Sequence, residues 1–184
     1  MLIITEGYPI KFIQTHPVKD NSCHLKSYVF KFFSTNLKLH YIVRAEYHKY
    51  DFFAIKFYAK KDRGSDRKYF NILNKGDVAN ILVTCAKVIP LILQKFPNAS
   101  FGFIGSRTID INSNKIESYT NNQRYRIYKH HLPQLIGLET FQHISYQTAS
   151  SYGLINKNIE DISKHESLIK AMIINTYNDI LEID

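Results

Sequence analysis

The chain has 184 residues, 45% hydrophobic and 14% aromatic, with 13 Tyr, 12 Phe and no Trp. That fits one domain with a core of its own and excludes a disordered chain. The net charge of +8 is unevenly spread: Met1 to His131 holds 21 Lys/Arg against 9 Asp/Glu, and Leu132 to Asp184 holds 3 against 7.

In chain order, "YPIKFIQ" (8–14) reads as an edge strand. "YVFKFFS" (28–34), "LKLHYIVRAE" (37–46) and "YDFFAIKFYAK" (50–60) follow as β-branched and aromatic strands. Leu37, Leu39, Tyr41 and Val43 share one face, and Lys38, His40 and Arg44 the other. The short links at 35–36 and 47–50 favour antiparallel hairpins. "KKDRGSDRK" (60–68) is a polar turn, where Asp62 and Asp66 read as solvated beside Arg63, Arg67 and Lys68. "KYFNIL" (68–73) is a further expected strand.

The period then changes. Residues 76–96 have helical spacing, with Asp77 at the N-terminus, where negative charge is favoured, and Pro90 expected to kink the helix. Residues 99–105, "ASFGFIG", form a buried strand. Residues 106–120 are polar and aperiodic, an expected mobile loop. "NNQRYRIYKHH" (121–131) opens a helix capped by Asn121 or Asn122. Tyr125, Tyr128, Leu132 and Leu135 mark its apolar side, and Pro133 is expected to bend or divide it. "TFQHISYQ" (140–147) alternates and "SYGLIN" is a pairing partner. "SKHE" (163–166) has capping-box form ahead of the last helix, within the acidic stretch 159–184. Strands first and mixed elements later predict a single α+β domain over 1–184, a mainly antiparallel sheet with helices on one face.

Cys23 and Cys85 form no CxxC pair or disulfide framework, which suggests a reducing compartment. The N-terminus lacks signal-peptide form, and "VANILVTCAKVIPLIL" is too short and polar to span a bilayer. A cytoplasmic protein without a membrane partner is expected. No HExxH, Cys/His quartet, calcium loop, Walker A or dinucleotide fingerprint occurs, so neither metal nor cofactor is indicated.

The strongest arrangement joins "FGFIGSR" to the basic helix. Gly105 would permit close approach and Ser106 would donate a hydrogen bond. Arg107, Arg124, Arg126 and Lys129 would hold phosphate, with Tyr128 beside them. Arginine suits that role because its planar fork holds two phosphate oxygens. The ligand expected is nucleic acid, RNA or DNA, or another phosphorylated molecule; the plain alternative is a solvated basic helix. His130 and His131 could make the chain a metal-independent ribonuclease or phosphodiesterase, but neighbours on a helix point roughly 100° apart. A protein-interaction role in a toxin–antitoxin or phage-defence unit is a third reading.

Asn74-Lys75-Gly76-Asp77, Phe96-Pro97-Asn98-Ala99, Gly105-Ser106 and Arg124-Tyr125-Arg126-Ile127-Tyr128-Lys129 stand in that order. This pattern resembles an uncharacterised family of small bacterial proteins, chiefly of Bacteroidetes, carrying a domain of unknown function. The resemblance implies a shared constellation of Gly-Ser and arginines, and no reaction. The chain departs from it by inserting "RTIDINSNKIESYTNNQ" between the two halves.

Overall fold

The computed structural model describes residues 6–18, 20, 22–69, 76–105, 109–110 and 113–177. Alternating sequence builds the sheet. β1 (Ile10–Pro17), β2 (His24–Ser34), β3 (Leu39–His48) and β4 (Phe52–Ala59) pair as consecutive antiparallel neighbours through tight links. Two short helices, α1 (Val78–Ala86) and α2 (Val88–Leu93), carry the chain back to β5 (Ser100–Ile104), which therefore runs parallel to β4. A small ribbon pairs β6 (Ile109–Asp110) with β7 (Lys115–Ile116) inside the expected loop. Helix α3 (Gln123–Ile136), the hairpin of β8 (Phe141–Tyr146) and β9 (Ser151–Asn156), and α4 (Ile162–Thr176) complete the chain. The sheet order is β1-β2-β3-β4-β5-β9-β8. This is the expected single α+β domain with a mainly antiparallel sheet, but the helices are not confined to one face: α4 packs opposite α1, α2 and α3, because Phe52, Ala54 and Ile155 give the second face an apolar patch of its own.

The pleat sends alternate residues to opposite faces. Tyr41, Val43 and Ala45 of β3, Phe53, Ile55 and Phe57 of β4, and Phe101 and Phe103 of β5 form the main core beneath α1, α2 and α3. The Val, Ile and Phe side chains among them each contribute about 1.5–3 kcal/mol on leaving water. The other face is treated unequally. Helix α4 presses Ile169, Met172 and Ile173 onto Phe52, Ala54 and Ile155, covering the β4–β9 end. Toward β1, Lys31, Phe33 and His40 stay exposed.

Several boundaries differ from the sequence reading. The helix over 76–96 breaks at Lys87 rather than bending at Pro90. Pro90 has no amide for the Ala86 carbonyl and its ring crowds that oxygen, so the helix stops there and restarts with proline in its first turn. Helix α3 runs through Pro133, which lies in its final turn, and Leu135 is exposed. Asp161 caps α4, its carboxylate accepting from the Lys164 amide at 2.9 Å, so the helix begins ahead of the "SKHE" box. Lys38 sits in the β2–β3 turn with a left-handed φ of 56°, not on the strand face. Lys68 and Tyr69 lie in a turn, and 70–73 of the expected strand fall outside the described residues.

Cys85 is buried in α1, as a small core residue would be, and neither cysteine is in a disulfide. Among the described residues no helix is long and apolar enough to cross a membrane.

Candidate functional site

Gly105 ends β5 against the N-terminus of α3. Its amide donates to the Ser150 carbonyl at 2.8 Å, and its carbonyl accepts from the Asn122 side chain. Asn122 is the cap, accepting from the Tyr125 amide at 3.0 Å, while its own amide donates to Ser150 Oγ at 3.0 Å. The Gln123 amide donates to Glu117 Oε1 at 2.5 Å. The protein's own carboxylate thus occupies the positive end of this helix. Ser106 and Arg107 lie outside the described residues.

The helical period then parts the basic segment. Arg124 is 3% exposed; its Nη1 donates to the Tyr69 carbonyl at 2.7 Å and its guanidinium lies 4.7 Å from the Phe57 ring centre. Its Nε has no hydrogen-bond partner among the described residues, and burial lowers its pKa. Tyr128 is buried against Phe103, ring centres 5.0 Å apart, and burial pushes its phenol up. Arg126, Lys129 and His130 face outward, with Arg126 Nη1 donating to the Asn121 carbonyl at 2.5 Å. The His130 and His131 rings meet edge to face at 4.9 Å, and burial lowers His131. The structure therefore brings Gly105 and Arg124 toward the interior and turns Arg126 and Lys129 away from them.

A second basic surface lies on the open part of the sheet. There a hollow of about 650 Å³ is lined by Lys31, Arg44, Lys60, Arg63 and Lys68, with His16 and His40. Ile13, Val29, Ile42, Gln14 and Tyr58 complete the lining; Ile13 is exposed and Ile42 half-buried, so these two carry its accessible apolar surface, while Val29 and Tyr58 are buried. Among the described residues, no Asp or Glu lines it and no ion pair reaches Lys31 or Arg44. Lys11 stands directly across from Lys31, and Arg44 across from Lys56. The first pairing opposes like charges, which weakens a sheet, whereas Lys56 is already neutralised by Glu46. Strand alternation already placed His40 and Arg44 on one face; Lys31, Lys60, Arg63 and Lys68 joined them only through strand pairing and the following turn.

Beside this hollow, α4's end closes over a buried polar cluster. Lys56 Nζ lies 2.9 Å from Glu46 Oε2 and 4.4 Å from the Tyr177 ring centre. Burial is the largest single influence and would raise Glu46, but Lys56, the Tyr177 hydroxyl and His24 together hold the carboxyl below its ordinary range. His48 is fully buried; Nδ1 lies 2.7 Å from the Glu46 carbonyl, which fixes a proton there, and Nε2 lies 2.7 Å from the Tyr177 hydroxyl. The same hydroxyl also lies 2.8 Å from Glu46 Oε2, so its one proton goes either to that carboxylate or to His48 Nε2. Burial, then the Glu46 charge, raises the Tyr177 phenol. Tyr177 lies far along the chain from both partners, so no local signal foretold the cluster.

Burial lowers His48 from 6.5 to about 4. Between those values the unfolded chain takes up a proton that the native state refuses, so stability falls as pH drops from 6.5 toward 4. The expected loss is on the order of 2–3 kcal/mol. Chemical denaturation across that range should show it, and His48→Gln should flatten the slope; an unchanged slope would assign the effect to other groups, such as His131 and His165, which burial also lowers.

Comparison with known proteins returns no matching family model, no matching curated protein and no matching solved structure.

Proposed function

We propose that this protein binds nucleic acid through the open basic face of its sheet, with other phosphorylated ligands sharing the same contacts. The observation that carries this reading is the gathering of Lys31, Arg44, Lys60, Arg63 and Lys68 around one hollow with, among the described residues, no carboxylate in its lining. Cations without a carboxylate partner gain most from phosphate, whose condensed counterions are released on binding. The outer face of α3, with Arg126 and Lys129, is the rival surface. It is supported less well, because Arg126 is engaged by its own backbone and Glu117 already occupies the helix end.

Fluorescence anisotropy with labelled RNA and duplex DNA, titrated with salt, separates the two. Each phosphate neutralised on a single strand contributes about −0.7 to the logarithmic salt slope. Lys31→Gln/Arg44→Gln should therefore flatten the slope by about 1.4 and weaken binding at least about tenfold. Arg126→Gln/Lys129→Gln should do neither. The opposite pattern would move the interface to α3. Shortened RNA after incubation would favour the ribonuclease reading and direct substitution to His130 and His131.

A further inference from the structure

We propose that the occupant of the sheet hollow is an unpaired nucleic-acid strand, its bases on an apolar floor and its phosphates on the flanking cations. This deepens the reading above and rests on it. The register supplies the argument. Val29 pairs with Arg44 in one row and Lys31 with Ile42 in the next, two residues along each strand. On this face the two apolar residues therefore lie on one diagonal and the two cations on the other. Such diagonal neighbours are about 7–8 Å apart, within reach of one ligand.

A ligand that satisfies both diagonals must offer flat apolar surface and negative charge side by side. A duplex turns its phosphates outward and hides its base faces in the stack, so it would leave the floor uncovered. Polyphosphate has no use for the floor. An unpaired strand presents both.

The neighbouring positions extend the same pattern. Phe33 pairs with His40 in the next row, ring centres 4.8 Å apart, and Phe33 is 38% exposed. At the other side Tyr58 stands across from Ile42, with Lys68 Nζ 5.0 Å from its ring centre. Tyr58 is buried, so the exposed ring that continues the path is that of Phe33, with His40 beside it and Lys68 at the other side. At the rim Gln14 Nε2 and His16 Nε2 lie 2.6 Å apart, and the β-bulge between Phe12 and Gln14 brings Ile13 into the lining. Amide and imidazole groups there can meet the edges of a base that has no pairing partner.

The test uses the whole protein with four probes: a labelled oligouridylate, the same strand annealed to its complement, a mononucleotide, and inorganic polyphosphate. The single strand should bind about tenfold or more tighter than the duplex and the mononucleotide. Ile13→Ser, an exposed position, and Ile42→Thr each remove apolar surface that a base would cover, and should weaken the single strand by about tenfold and polyphosphate by less than about twofold. Lys31→Gln/Arg44→Gln should weaken both polymers. Equal binding of duplex and single strand, or of mononucleotide and strand, would overturn this inference while leaving phosphate binding intact. So would an Ile13→Ser variant that loses polyphosphate as strongly as oligouridylate. Absence of binding to every probe would overturn it together with the reading on which it rests.

Discussion

Asp77→Ala is expected to destabilise the fold by about 3–5 kcal/mol, measured by denaturant unfolding at neutral pH. Asp77 occupies the N-cap position of α1, but its side chain makes no cap hydrogen bond. Instead it is 1% exposed and gathers four donors from three parts of the chain. Tyr8 Oη donates to Oδ1 and Oδ2 at 2.9 and 2.8 Å, and Ser34 Oγ to Oδ2 at 2.6 Å. Asn36 and Asn80 donate to Oδ1 at 2.9 and 2.8 Å. Alanine would strand the buried Tyr8 and Ser34 hydroxyls, whereas Asn36 and Asn80 lie nearer the surface.

Burial opposes the carboxylate's charge, but hydrogen bonds, led by that of Ser34, hold its pKa below the ordinary 3.8. A depressed acid contributes stability that is present above its unfolded pKa and lost as pH falls through the folded one. The gap between parent and variant should therefore be full at neutral pH and shrink only below pH 3.8. A gap of under about 1 kcal/mol at neutral pH would show that the donors find other partners.

Gly105→Val is expected to cost about 3 kcal/mol or more, combining overpacking with a broken helix cap. A Cβ there would lie 2.5 Å from Asn122 Oδ1, 2.9 Å from the Ser150 carbonyl oxygen and 2.9 Å from the Tyr125 amide nitrogen. Two of these are backbone atoms, which no side-chain rotation can move aside. The substitution would force α3 off the end of β5, and Asn122 would lose its bond to the Gly105 carbonyl. Thermal unfolding should reveal the loss, and Gly105→Ala should show most of it, because Cβ alone makes the clash. A fully stable alanine variant would mean that α3 can shift at little cost. The close approach that glycine permits here is to a helix of the same chain.

The α3 segment illustrates how far local reading reaches. Spacing identified Tyr125 and Tyr128 as inward-facing, and Asn122 was one of two candidate caps. The same spacing could have warned that Arg124 precedes an inward tyrosine and lies one turn ahead of another. Residue type pulled the other way, because arginine is rarely buried. What admits it is the Phe57 ring and the Tyr69 carbonyl, both supplied from far earlier in the chain. The sheet hollow had the converse history: His40 and Arg44 were visible as one strand face, but Lys31 and the cations of 60–68 were not visibly its neighbours.

By itself the sequence determined what depends on near neighbours. The alternation of β2, β3 and β4, their antiparallel pairing through short links, the helical period after Asp77, and the α+β order all follow from residues a few positions apart, whose relative directions the backbone sets. Tertiary structure decided which surfaces remain open. Strands such as β3 carry two usable faces, and only the packing of α1, α2 and α3 on one, with α4 over part of the other, leaves Lys31 and Arg44 bordering a hollow. It also joined Glu46 to Tyr177 across a separation of 131 positions. Burial and long-range hydrogen bonding depend on what the rest of the chain places nearby, and no local period encodes that.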